Sequence, residues 1–133
     1  ETKRLFLIDA LVRGDIHSLT ALHQPNSDVH KDITFYDANV GTTSIAEYLP
    51  LLYTYLIKTG VIDMPHLVRV ASHTPAKHIG LRSGEITIGL PCDCVLFDPS
   101  QTTEVPHHHS LYKNETLQGK VVMALCRGEV TKL

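Results

Sequence analysis

The order of hydrophobic and polar positions in the first third of the chain predicts a helix, a strand and a long loop. Over residues 3–13, apolar side chains recur at helical spacing, at Leu5, Ile8, Leu11 and Val12. Gly14 follows where a helix would end. Residues 16–22 form an apolar run that predicts a buried strand, and the polar residues 23–43 predict a loop leaving it. A helix followed by a strand is typical of α/β proteins, and barrels of that class carry their active sites on such loops.

The next stretch predicts three helices. Ser44 and Glu47 have capping-box spacing and predict a helix that runs to about residue 58, with Pro50 kinking it or moving its start later. Asp63 predicts the N-cap of a second helix over residues 64–72. A proline after a threonine predicts a short third helix that ends near residue 80.

The sequence pattern after residue 80 predicts a small β unit. Residues 85–88 alternate, and residues 94–97 and 120–126 are apolar runs that predict strands. A hairpin tip at Arg127-Gly128 predicts a returning strand over residues 129–131, while residues 99–119 are polar and predict irregular structure. The sequence therefore predicts an α/β part over residues 1–80 and a β part over residues 81–133.

Composition narrows the class of protein. The chain has 133 residues, which suggests one domain on size alone, and 43% of them are hydrophobic, as in a globular protein. The net charge of −2 predicts no nucleic-acid partner, and no apolar run approaches the roughly 18 residues that a membrane span needs. The chain opens without Met, which predicts a fragment or a processed product.

The cysteines indicate a reduced, cytoplasmic setting. They are three in number, Cys92, Cys94 and Cys126, without a Cys-x-x-Cys pair. Cys92 and Cys94 are too close for an ordinary disulfide within one strand, where their side chains would point to opposite faces. We expect both to be core residues of a strand and not redox or metal groups.

One motif carries a family resemblance. Leu22-His23-Gln24-Pro25-Asn26 follows the predicted strand and resembles the Asp-His-Ala-Pro-His of dihydroorotase-type amidohydrolases. Leu22 stands at the Asp position and Asn26 at the final His position, while His23 and Pro25 stay in register.

Other segments resemble the same family in the same order. Residues 49–53 follow a glycine-containing loop as in dihydroorotases, and residues 72–81 are similar to Ser-x-Asn-Pro-Ala-x-x-x-Gly-Leu. Residues 84–98 resemble Gly-x-Ile-x-x-Gly-x-x-Ala-Asp-Leu-Val-x-x-Asp, and residues 119–130 look like the last strand pair. The resemblance implies the C-terminal third of a TIM-barrel amidohydrolase: residues 1–80 would supply the last barrel strand and closing helices, and residues 81–133 part of a β-sandwich.

The resemblance also implies chemistry. The family is zinc-dependent and hydrolyses dihydroorotate reversibly to N-carbamoyl-aspartate in pyrimidine biosynthesis; most zinc ligands belong to an N-terminal part that this chain lacks. The residue at the position of Leu22 would bind zinc and move the proton, which leucine cannot do. Substrate binding would remain to His23, Asn26 and Gly41; the chain itself would hold no metal. Residues 41–46 keep the first glycine of the family's Gly-x-x-Gly-Leu-Glu and lose its second glycine and its Glu.

These departures predict an inactive, structural homologue. Its partners would be the missing N-terminal part, further copies in a homo-oligomer, and aspartate transcarbamoylase. The alternative is an active cyclic-amide hydrolase with a substituted general base, in which His23 or Asp28 stands in for the missing group, or one that hydrolyses a different cyclic amide. An independent interaction domain is a third possibility, which an unpaired sheet edge disfavours. The run His107-His108-His109 predicts a solvated loop, since three adjacent histidines cannot all face one ion.

Overall fold

The first helix forms as predicted. In the computed structural model, which describes residues 1–105 and 109–132, helix α1 covers Thr2–Arg13 and ends at Gly14. Gly14 has a φ of 83°, a left-handed conformation that glycine adopts without strain, and its N–H donates to the Leu11 carbonyl. Leu11 is buried, while Leu5 and Val12 are exposed. Only part of the predicted apolar stripe is therefore covered.

The strand predicted over residues 16–22 does not form. The segment has no regular secondary structure and pairs with no strand among the described residues. Its contacts come instead from helices: Leu19 N–H donates to the Val70 carbonyl at 2.9 Å, and the Tyr48 hydroxyl donates to the Leu19 carbonyl at 2.9 Å. A strand exists only through hydrogen bonds to a second strand, so an apolar run alone could not show whether a neighbour is present. Burial raises the pKa of the Tyr48 hydroxyl, which keeps this donor protonated.

The loop after this segment contains a four-residue helix, α2 (Asp28–Lys31). The predicted capping box of Ser44 and Glu47, which follows this loop, does not form. Helix α3 covers Tyr48–Leu52 and passes into a π-helical turn at Tyr53–Ile57, so the helix begins four residues after Ser44. The Ser44 hydroxyl does not cap it but donates to the Ala21 carbonyl at 2.7 Å. The later start is one of the two outcomes that Pro50 predicted.

The second and third predicted helices form one continuous helical stretch. It consists of α4 (Met64–Val68), a π-helical turn (Arg69–His73) and α5 (Thr74–His78). The Asp63 carboxylate accepts from His66 N–H at 2.9 Å, which confirms the predicted N-cap. The predicted separation of these two helices is wrong. The π-helical turn continues directly into α5, and Pro75 lies in the first turn of α5, where its missing N–H costs little.

The β part is a three-stranded antiparallel sheet in the order β1-β2-β3. Its strands are β1 (Cys94–Glu104), β2 (Thr116–Cys126) and β3 (Glu129–Lys132), and the hairpin at Arg127-Gly128 is confirmed. Both long strands extend into the region predicted to be irregular, because a register shift between Asp98 and Thr102 carries β1 past Pro99. No strand forms over residues 85–88, where the side chains of Ile86 and Ile88 are fully exposed.

A small core joins the helices, and the sheet packs on α3 and its π-helical turn. The buried core consists of Leu11, Ile62, Leu67 and Val70. The Tyr53 ring lies 5.2 Å from the Phe97 ring of β1, and Gln118 N–H of β2 donates to the Thr54 hydroxyl at 2.9 Å. The domain boundary near residue 80 stays a prediction. Among the described residues, no helix is long and apolar enough to cross a bilayer.

Candidate functional site

The His23 ring is held by the backbone of the segment that precedes α3. Its Nδ1 accepts hydrogen bonds from Ser44 N–H at 3.1 Å and Ile45 N–H at 3.2 Å. An acceptor nitrogen carries no proton, so the proton of the neutral ring lies on Nε2. Thr42 pairs with His23 in an isolated parallel bridge, in which Gln24 N–H donates to the Thr42 carbonyl at 3.0 Å. The histidine therefore joins the two ends of the loop.

Gly41 is placed where no side chain fits. Its φ is +139°, and a Cβ atom would lie 2.4 Å from the Gln24 carbonyl oxygen and 2.8 Å from the Asn26 side-chain nitrogen. The Lys31 ammonium donates to the Gly41 carbonyl at 2.6 Å. Two stretches of backbone thus approach each other closely, and this approach requires glycine.

The Asn26 side-chain amide forms hydrogen bonds within the same loop. Its Nδ2 donates to the Val40 carbonyl at 3.2 Å and the Gln24 carbonyl at 3.3 Å, and its Oδ1 accepts from the Asn39 amide at 3.3 Å. The structure therefore brings His23, Asn26 and Gly41 together, as the family motif implied. Their role in substrate binding stays a prediction, since the amide already has internal partners.

Leu22 has a backbone conformation that leucine disfavours. Its φ is +47°, one of the few left-handed non-glycine positions in the described residues, and its side chain is 76% exposed. Asp and Asn are several-fold enriched in this region because their short polar side chains bond the local backbone. The loop thus keeps at position 22 a conformation that suits an aspartate better than the leucine it holds.

Replacing Leu22 with asparagine is expected to stabilise the protein by about 0.5–1 kcal/mol, because the left-handed conformation costs a branched side chain more. The measurement is the midpoint of chemical denaturation of the full-length protein. Leu81→Asn is the control, since Leu81 is also exposed but is not a left-handed residue. Equal effects of the two substitutions would contradict the conformational explanation.

Known proteins resemble this chain in sequence over nearly its whole length. The chain is 30% identical over 131 residues to a dihydroorotase-like protein of Pseudomonas aeruginosa, and the match covers 94% of this chain and 31% of that protein. It is 28% identical over 135 residues to a dihydroorotase of Lactiplantibacillus plantarum, covering 96% and 31%. No protein-family model matches.

Solved structures of hydantoinases also match nearly the whole chain. A D-hydantoinase (dihydropyrimidinase) from Thermus sp. superimposes with a TM-score of 0.85 at 28% identity, covering 95% of this chain and 30% of that one. An L-hydantoinase (dihydropyrimidinase) from Arthrobacter aurescens gives 0.87 at 24% identity, covering 96% and 31%, and shows the fold alone. The chain belongs to the amidohydrolase superfamily. It matches the C-terminal part of these proteins and spans about a third of their length, which confirms the predicted family and α/β fold class.

A buried polar pair in this amidohydrolase chain was not predicted from the sequence. The Ser110 hydroxyl donates to Oε1 of Glu47, whose side chain is 1% exposed, and Oε2 has no hydrogen-bond partner among the described residues. The capping box assigned Glu47 to a helix start. No local signal could have found its true partner, because 63 positions separate the two residues.

His109 also contributes to this loop and is not simply solvated. Its carbonyl accepts from the Thr42 hydroxyl at 3.0 Å, and its Nε2 lies 2.7 Å from Oδ1 of Asp28. The predicted solvated loop is therefore wrong for His109; His107 and His108 lie outside the described residues. Asp28, the proposed stand-in for the missing acid, is engaged with this imidazole.

The described residues of the amidohydrolase chain do not fit a zinc site of their own. They contain no group of three or more His, Cys, Asp or Glu side chains that could hold a metal ion. Leu22 offers no donor atom, and the Nδ1 lone pair of His23 is occupied by two N–H groups. No step of a mechanism can therefore be derived through a metal held by this chain alone.

Proposed function

We propose that this chain is the C-terminal part of a dihydroorotase-like amidohydrolase that has lost its catalytic step and keeps a structural or regulatory role. Leu22 carries the proposal, because an aliphatic side chain occupies the loop position where the family motif has an acid. The left-handed backbone at Leu22 supports the same alignment, since it is a conformation that an acid tolerates.

The chemistry of cyclic-amide hydrolysis explains why one residue matters so much. The attacking water must lose a proton and the leaving nitrogen must gain one, and a positioned acid–base group contributes about 10²–10⁴-fold to the rate. Leucine has no ionisable group. The adjacent His23 cannot accept the proton through Nδ1, which is bonded to Ser44 and Ile45, and its Nε2 is already protonated in the neutral ring.

The apolar surface of the chain supports a role within a larger assembly. Large hydrophobic side chains are almost fully exposed at several positions, among them Phe35, Tyr36, Val40, Ile86 and Ile88. Exposed apolar area of this kind usually marks an interaction surface. The proposal assigns it to the rest of the same protein and to further copies of it. Aspartate transcarbamoylase, as a partner, stays a prediction of the family resemblance.

An active hydrolase for another cyclic amide is the second candidate. The solved relatives named hydantoinase and dihydropyrimidinase favour it, since one of them is 28% identical to this chain, about as similar as the dihydroorotases. The loop that joins His23, Asn26 and Gly41 is also intact, so a binding site could persist after the acid was replaced.

Turnover by the full-length protein tests both candidates. With zinc supplied, we expect no hydrolysis of dihydroorotate above background, and none of hydantoin or dihydrouracil. Circular dichroism confirms that the inactive protein is folded, and Leu22→Asp is assayed beside it as the variant that restores the acid. Hydrolysis of dihydroorotate at ordinary enzyme rates by the unchanged protein would overturn the loss of catalysis. Turnover of hydantoin or dihydrouracil alone would establish the second candidate.

A further inference from the structure

Two cysteine thiols lie side by side at the start of the sheet. The Sγ atoms of Cys92 and Cys94 are 4.0 Å apart, Cys92 is exposed, and Cys94 is half-buried. The prediction that both are core residues of one strand is wrong. Strand β1 begins at Cys94, so Cys92 precedes the strand and does not follow its alternation of faces.

The backbone holds the pair in this arrangement. Asp93 N–H donates to the Pro91 carbonyl at 3.0 Å, which closes a three-residue turn centred on Cys92. The Asp93 carboxylate accepts from Arg127 N–H at 2.7 Å, and the Cys92 carbonyl accepts from Gly128 N–H at 3.1 Å. The turn is thus tied to the hairpin between β2 and β3, and the two thiols do not depend on a flexible loop for their approach.

The separation of the sulfurs suits a shared metal ion better than a bond between them. A disulfide needs about 2.05 Å between the sulfurs. Thiolate–metal bonds of about 2.3 Å place two sulfurs on one ion about 3.8 Å apart in tetrahedral geometry and about 4.6 Å apart in linear geometry. The observed 4.0 Å, at which the two thiols are in hydrogen-bond contact, lies between these values and about 0.6 Å short of the linear one, so two-sulfur coordination needs only a small separation of the sulfurs.

The number of donors selects the ion. Zinc in structural sites takes four protein ligands, and the described residues contain no group of three or more candidate ligands. Soft thiolates select monovalent copper, which two sulfurs can hold. We propose that Cys92 and Cys94 form a two-thiolate binding site for Cu(I).

Binding at this site releases protons. Partial burial, followed by the hydrogen bond and charge of Cys92 and the charge of Asp93, raises the pKa of the Cys94 thiol, so this sulfur gives up its proton less readily than a free thiol. Each thiol gives up its proton as its sulfur bonds to Cu(I), without any change of oxidation state, and the product carries one net negative charge. The affinity should therefore increase as the pH rises.

A competition titration tests the site. The reduced full-length protein is titrated with Cu(I) under anaerobic conditions against a chromophoric copper chelator, with a phosphine as reductant. We expect one Cu(I) per chain, bound at least about 10²-fold more tightly than by Cys92→Ser or Cys94→Ser, because the second thiolate binds intramolecularly. Cys126→Ser is the matched control. Cys94 pairs with Leu125, so Cys126, which is also exposed, points to the other face of the sheet.

Several outcomes would overturn the proposal. The proposal fails if either serine variant at the pair binds Cu(I) as tightly as the unchanged protein does, or if Cys126→Ser weakens binding as much as the pair variants do. Peptide mapping after treatment with glutathione disulfide provides a further readout. A Cys92–Cys94 disulfide that excess reduced glutathione leaves intact would assign the pair to redox chemistry instead.

Discussion

Replacing Gly119 with alanine is expected to lower the free energy of unfolding by about 2–5 kcal/mol, from overpacking together with left-handed strain. Gly119 lies in β2 with a φ of +88°, and a Cβ atom there would lie 2.0 Å from Cζ of Phe97 and 2.8 Å from its Cε atoms. No atom can occupy that space unless the Phe97 ring moves. Chemical denaturation of the full-length protein measures the loss.

The location of the ring makes the expected loss large. Phe97 packs between Gly119 and the Tyr53 ring of the π-helical turn after α3, where the sheet meets the helices. The Thr103 hydroxyl also donates to the Gly119 carbonyl at 2.7 Å, so the strand cannot easily move away from the ring. A displaced ring would weaken the contact that holds the β part against the helical part.

Gly128→Ala separates the two causes. Gly128 has nearly the same backbone conformation, with a φ of +84°, but a Cβ atom there meets nothing within 4 Å. This variant carries only the conformational cost, about 1–2 kcal/mol. If both variants lost the same stability, the close approach of Phe97 to Gly119 would contribute nothing and the prediction would fail.

Features fixed by neighbouring residues could be predicted from the sequence. Helix α1 with Gly14 at its end, the Asp63 cap and the hairpin at Arg127-Gly128 all depend on contacts within a few positions. The strand over residues 16–22 could not be predicted correctly, because its existence depends on a neighbour that no local pattern reveals. The helix start at Ser44 failed for a related reason: its hydroxyl bonds Ala21, 23 positions away.

The candidate site likewise has features that the sequence predicts and contacts that only the fold shows. The family resemblance assigned His23, Asn26 and Gly41 to one substrate site, and the structure brings the three residues together. The contact of Glu47 with Ser110 and the approach of the two thiols depend on distant segments or on a turn before β1. A motif therefore identifies which residues share a loop, while their bonding partners require the fold.

Gly41→Ala is expected to open the loop that carries His23 and Asn26 and to cost about 2–4 kcal/mol, from backbone strain and overpacking. The obstructing atom is the Gln24 carbonyl oxygen at 2.4 Å, which is backbone and cannot turn aside as a side chain could. The two backbone segments that meet at Gln24 and Gly41 must therefore separate, and the bridge between His23 and Thr42 should break.

Hydrogen exchange measures this opening directly. The amide protons of Gln24, Ser44 and Ile45, which bond Thr42 or His23, should lose protection in Gly41→Ala. Gly89→Ala is the control, because Gly89 is also left-handed, at +91°, with open space around its Cβ position. Protection that stays unchanged at all three amides would show that the loop tolerates a side chain at position 41. In that case the glycine would not be needed for packing, and substrate binding would become the stronger explanation for it.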